Sequence, residues 1–176
     1  MIFEFLNRTA KIIDQINEWV GRKISWLTSV LVLIICGDVV MRYFFNASSA
    51  GVFELEWHIF AVIFLLGAAY TLKHDKHVRV DVFYSRFTEK QKAWVNLTGT
   101  LLFLLPFCLV VIDASFKFVE NSYRFHESSP DPGGLPARFI IKSAITIGFI
   151  LLLMQSISLI FKSIITIFAP ANATKH

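Results

Sequence analysis

Residues 53–72 constrain this chain more than any other stretch. Phe53 to Leu72 spans 20 residues, and thirteen consecutive uncharged residues, Ile59 to Thr71, run through it. At ~1.5 Å per residue, a helix of that length covers about 30 Å, one hydrocarbon thickness of a bilayer. Glu54, Glu56, Trp57 and His58 stand at its start, and Lys73, His74, Lys76, His77 and Arg79 crowd its exit. The pattern reads as a membrane helix with a direction, because short loops rich in Lys and Arg stay on the cytoplasmic side.

The rest of the chain agrees with a bilayer. With 55% hydrophobic residues, 18 Phe and a mean hydropathy of +0.60, a chain of 176 residues reads as an integral membrane protein of one domain. Its net charge of +4 is gathered into particular loops, so it reports topology and argues against nucleic-acid binding. Cys36 and Cys108 both fall in apolar segments and are expected as buried free thiols. The first long apolar run begins near Ile24 without a small-residue cleavage site, which suits a retained anchor.

The expected fold is all-α, four transmembrane helices preceded by an N-terminal amphipathic helix. Residues 1–23 hold that helix: Ile2, Phe5, Leu6, Ile12, Ile13, Ile16, Trp19 and Val20 recur at helical spacing, with Arg8, Lys11, Asp14, Gln15, Glu18 and Arg22 between them. Two readings are open for it, a helix lying in the headgroup layer or one packed on a partner protein. The four-helix domain occupies 24–169, with spans at about 24–45, 53–72, 93–116 and 137–165, and 170–176 form a polar tail. Pro106 should bend the third span. The run SSPDPGGLP cannot be helical and predicts a stiff exposed turn, and Pro136 suits the first turn of the last helix. Val78, Val80 and Val82 alternate with Arg79 and Asp81 as an extended segment would. The stretch 86–92 reads as the charged start of a helix.

Orientation follows from the basic residues. Twelve lie at the N-terminus, in the 73–92 loop and at the C-terminal end; five (Arg42, Lys117, Arg124, Arg138 and Lys142) lie on the other side. Both termini are therefore expected in the cytoplasm. In that topology Asp38, Arg42, Glu54, Glu56, Asp113 and Lys142 all fall at the outer ends of their helices. A charge at mid-bilayer costs ~2.5–3.5 kcal/mol on insertion scales, so such groups should pair or face protein. We expect a structural charge network that fixes helix register, with Arg42 bonded to Glu54 or Glu56; a coupling-ion site is the other reading.

Little speaks for catalysis. Only His58 lies near a span, too few for a membrane haem site. No Cys-x-x-Cys, phosphate loop or nucleophile motif is present. His74 and His77 have the spacing of a ligand pair, but nothing nearby supplies further ligands, and no metal or other cofactor is expected. The spans lack the repeats and interruptions of a free-standing transporter, apart from Pro106.

Three stretches carry a family resemblance: MRYFFN at 41–46, the acidic pair with FLLGAAYTL and HVRVDV, and SPDPGGLPARFIIKSAITIGF at 129–149. Together they resemble the small membrane subunit of a tripartite ATP-independent periplasmic (TRAP) transporter, the DctQ-like family. The resemblance implies a multi-pass inner-membrane protein with two partners, a larger DctM-like membrane subunit and a DctP-like periplasmic solute-binding protein. It implies a scaffold role in ion-gradient-driven uptake of organic acids, and ESSPDPGGLP resembles a branch associated with keto-acid or related acid uptake. For packing on the large subunit the candidates are Trp19 and the small patch Gly67, Ala68 and Ala69. For docking the binding protein they are the outer turns Asn46–Glu56 and Glu127–Pro136, with Glu127, Ser129, Pro130, Asp131 and Pro132. A reading from another class is a self-contained homo-oligomeric transporter or channel with an acidic ring.

Overall fold

The computed structural model describes residues 2–74 and 87–168. The extended Val78–Val82 segment, His77 and the polar tail lie outside the described residues. Among the described residues there are five α-helices: α1 (Ile2–Phe45), α2 (Ala50–Lys73), α3 (Glu89–Gly99), α4 (Leu105–Arg124) and α5 (Phe139–Phe168), with a π-helical turn (Thr100–Leu104) between α3 and α4. The α3–π–α4 run forms one rod of 36 residues, so among the described residues four helices are long and apolar enough to cross a membrane.

Local chemistry explains most of the boundaries. Thr88 and Gln91 form a reciprocal capping box at the start of α3, each side chain satisfying the other's backbone N–H. The π turn falls just before Pro106, where a bend was expected. Proline lacks an N–H and its ring crowds the turn before it. The chain widens there, and the Leu105 N–H reaches back to the Thr100 carbonyl. The last helix begins at Phe139, three residues after Pro136, because Ala137 takes a left-handed φ of 59° and the chain before it is tied into a loop.

The N-terminal region departs furthest from expectation. A separate element over 1–23 is not formed; α1 runs unbroken through 44 residues, roughly 66 Å. Along it Ala10, Ile13, Asn17 and Gly21 are buried, while Ile2, Phe5, Ile12, Ile16 and Trp19 are exposed, as are Arg8, Lys11, Gln15 and Arg22. Gly21 does not break the helix because it serves contact: a Cβ there would lie 2.2 Å from the Tyr70 ring of α2.

The rods stack in three layers. The α1–α2 hairpin lies on one side, α5 runs through the middle, and the α3–α4 rod lies on the other side, with α5 touching each of the other described helices. Small residues set the closest approach. A Cβ on Gly148 of α5 would sit 2.7 Å from the Leu65 carbonyl of α2. Leu72, Cys108 and Leu152 meet at the centre, one from each layer, with Ala68, Leu104, Phe149, Leu153 and Leu159 around them. Cys108 is fully buried as expected, but Cys36 is exposed on the outer side of α1.

Candidate functional site

Two polar junctions hold the ends of this stack. At one end the start of α2 and the loop before α5 come together, and Glu54 organises them. Its side chain, in the first turns of α2, is only 4% exposed. One carboxylate oxygen accepts the Ser129 hydroxyl and lies 3.4 Å from the Arg138 guanidinium; the other accepts the Leu135 backbone N–H at 2.6 Å. Asp131 N–H donates in turn to the Ser129 hydroxyl at 3.1 Å. Within the loop, Gly134 N–H bonds the Asp131 carbonyl, with Pro132 second and Gly133 third at φ 81°. That is the arrangement of a type II turn, whose third position demands a positive φ. The Ser129 N–H to Leu135 carbonyl bond closes the loop at its neck.

A second tie lies beside it. Lys142 of α5 bonds Glu127 and stacks its ammonium over the Phe118 ring of α4, 3.8 Å from the centroid. The Lys142 ammonium, and the nearby Arg138 charge, hold the Glu127 carboxyl below its ordinary pKa.

The six ionisable groups expected to form one network are not brought together. Arg42 pairs with Asp38 one turn back on its own helix, in place of the expected bond to Glu54 or Glu56. Asp113 pairs with Lys117 on exposed helix surface. Glu54 and Lys142 do cross between elements, but towards the loop. Glu56 has one buried carboxylate oxygen without a hydrogen-bond partner among the described residues. Of the docking candidates, Pro130, Asp131 and Pro132 are exposed at the loop tip, while Glu127 and Ser129 are engaged internally. Of the packing candidates, Trp19 is 65% exposed and Gly67 has open space where a Cβ would go. Ala69 is fully buried within the chain, and Ala68 is partly buried against the core.

The opposite end carries a junction that sequence reasoning missed. Asp14, placed on the outer polar face of an amphipathic helix, turns towards α5 and accepts from Gln155, Ser158 and Lys162. Asn17, 1% exposed, donates to the Gln155 side-chain carbonyl at 2.8 Å. Glu18 reaches α2 and bonds Lys73 at 2.6 Å and His74 at 2.9 Å, besides Arg22 on its own helix. The visible signal was Gln155, an amide inside the 19-residue uncharged run of α5, with Asp14 and Asn17 one turn apart on α1. Each needed a partner, and only packing tells which.

The sequence profile of the tripartite ATP-independent periplasmic transporters, DctQ component, matches residues 31–166. The chain belongs to the DctQ family. A protein of Haemophilus influenzae, provisionally named a TRAP transporter small permease protein, is 27% identical over 156 residues, covering 87% of this chain and 94% of that one. Family membership and four apolar helices make this DctQ chain a multi-pass membrane protein and the small subunit of a tripartite transporter. The family is one of transporter components, which agrees with the scarcity of catalytic motifs. Glu54 and its loop partners lie inside the matched stretch, as do Gln155, Ser158 and Lys162; Asp14, Asn17 and Glu18 precede it.

Proposed function

We propose that this DctQ chain is the scaffold of its transporter. It sits in the inner membrane with both termini in the cytoplasm. It braces a larger DctM-like subunit, and it offers a periplasmic docking surface to a DctP-like solute-binding protein. The complex takes up organic acids on an ion gradient. The single observation that carries this reading is the family match across all four membrane-length helices. The two polar junctions support it, because in them Glu54, Asp14, Asn17 and Gln155 bond partners within this chain and hold its own rods together. Trp19 and Gly67 are open to a large-subunit contact, and Pro130, Asp131 and Pro132 are open to the binding protein. The basic residues gathered at the other end support the cytoplasmic assignment of the termini.

The test is reconstituted uptake with this chain alone, with the large subunit, and with the binding protein added. Uptake is expected only with all three. Uptake by this chain alone would overturn the scaffold reading and favour a self-contained transporter.

A further inference from the structure

The loop that carries Pro130, Asp131 and Pro132 lies against the start of α2. Beyond its exit, Leu135, Pro136 and Ala137 help line an open apolar pocket of about 320 Å³ with Leu55, Ile59 and Ile140 among others. Hydrogen bonds tie the turn to the helix beneath it. Those bonds converge on one group. Glu54 takes Ser129 at the entry to the turn, Leu135 N–H at its exit and Arg138 beyond it. Through Ser129 it also fixes the Asp131 N–H. A buried carboxylate is costly unless it is fully hydrogen-bonded, so the loop and the carboxylate require each other. Two glycines show how closely they meet. A Cβ on Gly134 would lie 2.9 Å from a Glu54 carboxylate oxygen and 2.3 Å from the Ser129 hydroxyl, and a Cβ on Gly51 would lie 2.9 Å from the Gly133 carbonyl.

We infer that Glu54 is a positioning residue for the docking surface: its buried carboxylate presents the 129–135 turn, Asp131 at the tip, in the shape that the periplasmic binding protein recognises. This rests on the proposal that the turn is where that protein docks. Glu54 itself does not touch the partner. It acts through the turn, so its loss should change affinity for the binding protein and leave the translocation step alone.

The experiment uses the full complex with Glu54→Gln, which keeps the size of the side chain and removes its charge. Hydrogen exchange is read at the Asp131 and Leu135 amides, and affinity and uptake are read against binding-protein concentration. Exchange at both amides should rise roughly tenfold or more, as expected for loss of a charge-assisted bond. The binding-protein concentration for half-maximal uptake should rise by a similar factor, with the maximal rate unchanged. Ser129→Ala, which removes one bond and no charge, should move both readings the same way by less. It keeps the test open if Glu54→Gln does not assemble. Unchanged exchange in both variants would overturn the inference, as would a lower maximal rate at unchanged half-saturation. Asp131→Arg, at the exposed tip, separates the two levels. If exchange rises in Glu54→Gln and affinity holds, while Asp131→Arg weakens binding, only the positioning role falls. If Asp131→Arg also leaves affinity unchanged, the docking reading falls with it.

Discussion

Gly148 and Gly67 are both small residues on membrane helices, yet they face different surroundings. A methyl group at Gly148 meets the Leu65 backbone carbonyl, which cannot swing aside; at Gly67 it meets nothing within 4 Å. Gly148→Ala should lower stability by about 1–3 kcal/mol, the usual cost of overpacking. Gly67→Ala should leave the isolated chain as stable as before, and thermal melts in detergent compare the two. The Glu127–Lys142 tie makes a different prediction, in pH. The Glu127 pKa lies below its ordinary 4.5 in the folded chain, chiefly through the Lys142 hydrogen bond. Its contribution is therefore whole above the unfolded pKa and fades as pH falls through the lower folded value. The stability gap between the native chain and Glu127→Gln should be constant near neutrality and close on acidification below 4.5. A gap that widened on acidification would contradict the assignment.

At the scale of elements, the joint between α1 and α5 decides how the N-terminal half of α1 is held. Apolar residues at helical spacing predict an amphipathic helix there. One stripe of α1 faces α5, where Asp14 and Asn17 meet Gln155 and Ser158. Gln155→Leu leaves Asn17 buried and unpaired and should cost roughly 1–3 kcal/mol. Asn17→Leu combined with Gln155→Leu should recover part of that loss, since no orphaned amide is left. A double-mutant cycle by chemical or thermal unfolding measures the coupling, and strict additivity would show that the two amides do not act as a pair.

For the whole molecule, the layered stack leaves broad apolar surface on its outer helices, including Trp26, Leu33, Phe64, Phe103 and Val110. In a bilayer such surface is at home against lipid or a partner helix. The proposed orientation predicts that Asp131→Cys is labelled by an impermeant maleimide in intact cells, and Lys11→Cys only after the inner membrane is opened. Cys36, which is exposed, would first be replaced by Ser; labelling in the reverse order would invert the topology. The residue order by itself determined the number of membrane-length helices, the turn at 129–136 and the family, because these rest on hydropathy, local backbone chemistry and motif. It also marked Glu54 and Lys142 as groups in need of partners. Only the tertiary structure decided which partners they take. Arg42 stayed on its own helix, Glu54 became the clamp of a loop 75 residues downstream, and Asp14 turned inward to α5. Pairing depends on which faces meet across helices distant in sequence, and a one-dimensional pattern of charges holds no record of that meeting.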